Sequence, residues 1–382
     1  MFRFRCASTA ISLVILIFAV NVTFAMGKLG KGEVIFDSKV DVEYDSNVSA
    51  NSDEISDLIG RITMGIAFEQ LERSVANVIA RAEVEAIRYV DLKEFDAENL
   101  SLDLEFSYPN NQESNAYYEF GVNWSKATRS NFQVGQVVES EQFGISGSYR
   151  AYLNEKSGVR MSGGFGQNSF TDSSLSDSDD MSFTTDYLYR YSSKLNLVTG
   201  YRYRELENQG GASGVSTSQS SHTFDIGVDG KLRPKVAGDI SLGIQFLDNS
   251  GSMASAEGAN FYYDIGLAWQ ANSRTSVSLS GSGDFQNSPN GGFNNRRDIE
   301  MRLTQSSRSR SSRSIGLIYA QSDFSGLNSR KDDSITLNSQ YQHNLAENKR
   351  LGLSADYEIR ESNSDFFSYD RLRLALDFQA SF

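Results

Sequence analysis

From Glu33 to Phe382, apolar and polar residues alternate in runs of roughly 10 to 15 residues, the signature of strands with one apolar and one polar face. In NLSLDLEFSYP, Leu100, Leu102, Leu104, Phe106 and Tyr108 share one phase, while Ser101, Asp103, Glu105 and Ser107 share the other. Tyr118, Phe120, Val122 and Trp124 stand against Glu119 and Asn123 in the same way. So do Tyr187, Tyr189 and Tyr191 against Asp186 and Arg190, and Ile299, Met301 and Leu303 against Asp298, Glu300 and Arg302. Charged residues keep almost entirely to one phase. With lipid on the apolar side, the charged phase faces a lumen, because a charge at the bilayer midplane costs about 2–4 kcal/mol.

The punctuation between runs is short and long by turns. Short turns fit at 72–74, 109–113, 154–156, 192–194, 233–235, 271–273, 306–313 and 346–349. Longer polar stretches separate them: DSNVSANSDE, DLKEFDAEN, the region from Thr128 to Glu141, TDSSLSDSDD, ENQGGASGVSTSQ, DNSGSMASAEG, NSPNGG, SGLNSRKDD and Glu361 to Asp365. Tight periplasmic turns and longer external loops are the asymmetry of a transmembrane antiparallel up-and-down β-barrel. This scheme gives about 18 strands, with 16 as the alternative, and both termini on the periplasmic side. Pro109 and Pro234 fall in short turns and Pro289 in an external stretch, none inside a strand. Residues 26–382 are therefore read as a single all-β domain.

Composition agrees with this picture. Only 39% of residues are apolar, yet 12% are aromatic, and there are 31 glycines against 3 prolines, as expected when half of each strand faces water. The one continuous apolar run, AISLVILIFAV, follows Arg3 and Arg5 and precedes Thr23-Phe24-Ala25. It reads as a secretory signal peptide over residues 1–25, which sends the remainder to the outer membrane of a Gram-negative cell. Cys6 leaves with that signal, so no disulfide or thiol chemistry is expected. Residues 26–382 carry 34 basic against 49 acidic residues, a net charge of −15. That excess argues against nucleic acid as a partner and does not favour an anionic-lipid surface.

The last segment, LRLALDFQASF, alternates strictly to an aromatic residue. A soluble sandwich would have no need for such an ending. The pattern resembles the C-terminal signal read by the barrel assembly machinery, carried here by Leu374, Leu376, Phe378 and Phe382. Aromatic residues near strand ends (Tyr191, Trp269, Trp124, Tyr263, Phe366, Phe367) are expected at the lipid interface, against outer-membrane lipid and lipopolysaccharide.

The lumen phase bears on function. Its acids are Asp37, Asp41, Glu43, Glu83, Glu85, Asp103, Glu105, Glu119, Asp225, Asp229, Asp264 and Asp356. Its bases are Lys39, Arg61, Arg81, Arg150, Arg160, Arg202, Arg204, Arg302, Arg360, Arg371 and Arg373. Pairing across neighbouring strands is the simpler reading of any one of them. A wide channel of mixed charge suits a hydrated, hydroxyl-rich solute. Inward glycines (Gly65, Gly121, Gly144, Gly200, Gly227, Gly243, Gly266) either make room for a bulky solute or ease barrel bending.

Catalysis finds no constellation. His222 and His343 fall on the outward phase, and the Glu83/Glu85 pair is ordinary in so acidic a chain. TDSSLSDSDD, with Asp172, Asp177, Asp179 and Asp180, lacks the glycine and terminal Glu of a calcium loop. No enzyme activity, metal or cofactor is expected. The basic tract around Arg308 to Arg313 reads as a solvated periplasmic turn.

The opening hairpin, DVEYDSNVSANSDEISDLIGRITMGIAF, with Tyr44-Asp45-Ser46-Asn47-Val48 closing its first strand, resembles the outer-membrane β-barrel porins linked to exopolysaccharide and capsule clusters, as do the chain length and the C-terminal strand. The resemblance implies an outer-membrane exit for a surface polysaccharide of the kind that builds biofilm, working with periplasmic export components. It transfers no ligand residues, and Asp45 and Asn47 are read as setting the first loop. Two alternatives stand beside export: a general or substrate-specific diffusion porin for small solutes, and a passive structural surface barrel. A constricting in-folded loop would favour the diffusion porin, and Thr128 to Glu141 is the longest candidate.

Overall fold

In the computed structural model, residues 27–30, 32–70, 75–110, 114–210, 216–250, 258–307, 310–325 and 329–382 are described. The expected signal peptide at 1–25 and the expected turn at 72–74 lie outside them. A three-residue strand, β1 (Gly27–Leu29), pairs only with β2 (Gly32–Asp45). The wall continues through β3 (Asp57–Gln70), β4 (Asn77–Tyr89), β5 (Ala97–Tyr108), β6 (Ala116–Asn131), β7 (Gln136–Tyr152), β8 (Ser157–Phe170), β9 (Ser176–Ser192) and β10 (Leu195–Gly210). It proceeds with β11 (Thr217–Arg233), β12 (Val236–Ser250), β13 (Gly258–Asn272), β14 (Thr275–Asn287), β15 (Phe293–Ser306), β16 (Ser311–Phe324), β17 (Arg330–Ala346), β18 (Lys349–Ser362) and β19 (Tyr369–Ser381).

Each strand from β2 onward pairs antiparallel with the next, and β19 returns to β2 through registers from Arg373↔Asp45 to Ser381↔Asp37. Eighteen strands thus close into a barrel without a free edge, which satisfies every ladder hydrogen bond inside a membrane. The seam is finished by Phe382, whose N–H donates to Phe36 O and whose carbonyl accepts from Phe36 N–H, both at 2.8 Å.

The connections on the side of the termini are mostly two to four residues long, and those on the opposite side are longer, which marks the opposite side as external. Pro109 and Pro234 lie in the first set and Pro289 in the second. Several expected loops shrink. Thr128 to Glu141 is almost all strand, with only residues 132–135 between β6 and β7. In TDSSLSDSDD the loop is 171–175, because β9 already begins at Ser176. In SGLNSRKDD, β17 begins at Arg330, and Arg313 belongs to β16 instead of the turn before it. In each case polar composition concealed an alternation that continues beyond the lipid, where both faces of a strand are polar.

Candidate functional site: the lumen and its outer mouth

Register fixes which residues face inward. Arg160 on β8 meets Asp229 on β11 at 3.3 Å, and Arg204 on β10 meets Asp284 on β14 at 2.5 Å. Side chains on non-adjacent strands of a closed ring can meet only through its interior. Following the registers from these anchors puts all the charged residues named above as lumen candidates on the inner phase. Leu102, Phe120, Ile226 and Met301 point outward and are exposed, as lipid-facing side chains must be. Leu374 and Leu376 are also exposed on that outer phase, which Phe378 shares. His222 and His343 lie there too, bonded to Tyr201 and Ser311.

The inner wall falls into two parts. Over most of the ring, charges pair across or along strands. Arg61 bonds Asp41 at 3.0 Å and Glu43 at 2.9 Å, with Lys39 3.5 Å from Asp41. Arg160 takes Asp186 at 2.7 Å, and Arg202 takes the buried Asp225 at 3.0 Å. Arg204 joins Asp180 to Asp284 on β14. Arg302 pairs with Glu300, Arg371 with Asp45, and Arg373 with Asp356 at 3.5 Å. Gly200 explains itself here: a Cβ would stand 2.5 Å from Asp225 Oδ1 and 2.8 Å from Asp186 Oδ1. Glycine makes room for two carboxylates, which is neither of the readings drawn from sequence.

The wall formed by β4, β5 and β6 differs. Arg81 leans to Glu69 at 3.9 Å, and Glu85 accepts from Asn99 at 2.8 Å with Arg129 4.0 Å away. Glu119 is held by Tyr117 and Ser148, and Arg150 lies over the Tyr117 ring. Asp37 accepts from Ser381. Glu83, Asp103 and Glu105, with Asp264 elsewhere in the ring, have no ion pair among the described residues. Two cavities open along this sector. One of about 490 Å³ is lined by Asp37, Lys39, Glu83, Glu85 and Arg129, and one of about 790 Å³ by Asp103, Glu105, Tyr117, Glu119 and a run of serines.

Among the described residues the external end is bridged. The short β6–β7 connection crosses the mouth, and β15, which it reaches, lies nine strands away around the ring. The Phe132 ring sits against the Arg360 guanidinium, 4.1 Å from the ring centroid, and that of Arg296 on β15, at 5.9 Å. Gln133 O accepts from Arg330 Nη1 at 3.1 Å and from Asn290 Nδ2 at 3.2 Å, and Gly135 O from Asn51 Nδ2 at 2.8 Å. Gly135 adopts φ +67°, and a Cβ there would stand 2.7 Å from the Phe366 ring. Val134 and Val138 pack with Leu175 and Phe170 into a small apolar cluster. Asp172 steadies that loop by accepting from Ser174 N–H at 2.9 Å, which holds its carboxyl below the usual range. A second cluster, Val48, Ile59, Ile87 and Tyr89, fills the mouth beneath the first loop, which Asp45 and Asn47 shape by accepting from Asn47 N–H and bonding Asn51.

Two arginines hold the tip. Arg330, 5% exposed, lies between the rings of Phe324 at 4.0 Å and Phe367 at 3.5 Å, beside buried Asp332 at 3.0 Å. Arg360 bonds Glu358, Asp332 and the Tyr369 hydroxyl. Phe367 therefore faces the mouth, not the lipid interface expected of it, and Phe366 packs against the tip. Arg330, Asp332 and Phe132 went unmarked in the sequence because they sit in polar stretches. The signal was there for the first two: in RKDDSITL the inward series Arg330, Asp332, Ser334 continues the phase of Thr336. Asn51→Ala is expected to cost about 1 kcal/mol for the lost hydrogen bond to the tip. It should appear as faster proteolytic nicking at 132–135 in a barrel whose heat-modifiable mobility is unchanged.

A closed ring with a lipid-facing outer surface and a polar lumen is a channel scaffold. Residues 213–382, which carry β11–β19, match the family model described as "Putative beta-barrel porin 2". Over these residues the chain is similar to that porin family. The match includes the C-terminal strand on which the family resemblance rested, and excludes the first hairpin and the β6–β7 tip of this barrel. No curated protein matches the sequence. Among solved structures, OccK2 (OpdF) of Pseudomonas aeruginosa is 12% identical, with 93% of this chain and 99% of that chain covered at a TM-score of 0.49. OccAB4 of Acinetobacter baumannii is 8% identical, covering 91% and 98% at 0.46. The siderophore receptor PirA of P. aeruginosa is 11% identical, covering 91% and 80% at 0.45. All three likenesses are distant.

Proposed function

We propose that this barrel is a conduit for a hydroxyl-rich solute, gated at its outer mouth, and that its cargo is a surface exopolysaccharide on its way out. The observation that carries the reading is the polarity of the obstruction: the bridged end is the external one, crossed by the β6–β7 turn, while the roomier polar sector runs along the wall below it. Such a channel can be loaded from the periplasm while its outlet to the medium is still obstructed. The sequence resemblance to porins of exopolysaccharide clusters supports the same direction, and periplasmic export components are the partners it implies.

A second reading has its own support. An element folded across the passage is what a selective diffusion porin for small solutes uses to restrict traffic, and the tip around Phe132 is such an element. Deleting the gene and measuring cell-bound and secreted polysaccharide, with small-solute uptake in the same strain, separates the two. Loss of surface polymer with uptake intact is the expected result; normal polymer with slower uptake would transfer the proposal to the diffusion porin.

A further inference from the structure

The larger cavity has a composition unlike the rest of the lumen. It is bounded by β4 to β9, and among the described residues its lining includes Asp103, Glu105 and Glu119 but no lysine or arginine. The surrounding positions are hydroxyls and glycines, among them Ser148 and Ser162, with Tyr117 the one inward aromatic group. Elsewhere arginines meet most inward carboxylates, Asp264 excepted, and Arg61 and Arg204 each meet two. Here the nearest cation turns aside: Arg81, opposite Asp103 in register, leans toward Glu69. Asp103 and Glu105 lie two positions apart on the inner face of one strand, and Glu119 is on the strand beside it. With strands about 4.8 Å apart and a rise of about 3.4 Å per residue, Glu105 lies within about one Debye length of Asp103 on one side and of Glu119, which stands across from Ser107, on the other, so the fields of neighbouring acids add along the cavity.

We infer that this wall is a selectivity surface admitting neutral or cationic carbohydrate and rejecting polyanionic carbohydrate, with Asp103, Glu105 and Glu119 as its specificity-determining residues. The inference rests on the conduit reading and names its cargo class. Serine hydroxyls donate to and accept from sugar hydroxyls, and the carboxylates accept from sugar hydroxyls or ammonium groups. A uronate-rich polymer would instead bring like charge into a confined, poorly screened space. The small residues leave the surface free of bulky side chains, so a sugar ring can lie along it.

The test uses the full-length barrel in planar bilayers, wild type and a Phe132→Ala/Val134→Ser variant that loosens the mouth, first in a low-salt KCl gradient. Oligomers of glucosamine or of galacturonate are then added to each side in turn. The expected result is a several-fold preference for potassium over chloride that fades near 1 M salt, with current interrupted by glucosamine oligomers and not by galacturonate. Asp103→Asn/Glu105→Gln/Glu119→Gln, carried beside each single substitution in case the triple does not fold, should abolish the preference. A conducting barrel with no cation preference, or one blocked equally by galacturonate, overturns the inference and leaves the conduit reading standing. A folded barrel that conducts nothing even with the mouth loosened overturns the conduit reading and the inference together.

Discussion

Phe132→Ala is expected to convert a barrel of low, flickering conductance into one that passes steady current. The tip it belongs to is held to the far wall by few interactions: the ring against Arg360 and Arg296, two hydrogen bonds to Gln133 O, and one to Gly135 O. A cation–π contact in a desolvated setting contributes about 1–2 kcal/mol. Losing the Arg360 contact and weakening that to Arg296 should therefore raise the open population about tenfold, since each 1.4 kcal/mol is a factor of ten in a two-state equilibrium. Single-channel recording with purified wild type and variant reads this directly. The substitution leaves the wall untouched, so heat-modifiable mobility should not change. If both barrels show the same low conductance, the turn at 132–135 is not what limits passage.

Leu102→Arg, or Phe120→Arg, is expected to reduce the folded outer-membrane population far more than Asp103→Arg or Glu119→Arg. The first pair project into lipid and the second pair into water, although Leu102 and Asp103 are neighbours in sequence. An arginine on the lipid face costs about 2–4 kcal/mol near the midplane, a large fraction of a membrane protein's net stability. The lumen has room and water for it, and acids nearby to pair with. The measurement is the heat-modifiable fraction in outer-membrane preparations of all four variants. Equal yields would sink the assignment of inner and outer faces and, with it, the map of the lumen.

The two results depend on information of different range, and that difference explains what was legible. Period-two alternation is local, so the strands, their phase and the eighteen-strand closure could be read from stretches such as NLSLDLEFSYP. Pairing followed in part, because inward charges such as Arg61 and Asp41 sit on adjacent strands. The mouth was not legible. Whether Phe132 crosses the lumen depends on Arg296, Arg330 and Arg360, which follow it by more than 160 residues, and nothing local distinguishes a tip that bends inward from one that stands in solvent. Gly200 shows the same limit at smaller scale: its necessity comes from Asp186 and Asp225 on the two flanking strands. Thr128 to Glu141 was expected as a long loop because polar residues dominate there; beyond the lipid, polarity no longer distinguishes strand from loop.

The seam between β2 and β19 has a kinetic meaning. Every other strand pairing joins neighbours in sequence, so the wall can grow one hairpin at a time with short loops to close. The ring itself is completed only when residues 37–45 meet residues 373–381, at the two extremes of the strand series. Until then the curling sheet presents two unpaired edges, each able to capture a stray strand. Closure of this barrel is therefore a single late event, and a ribosome that stalls before β19 releases a sheet that cannot seal.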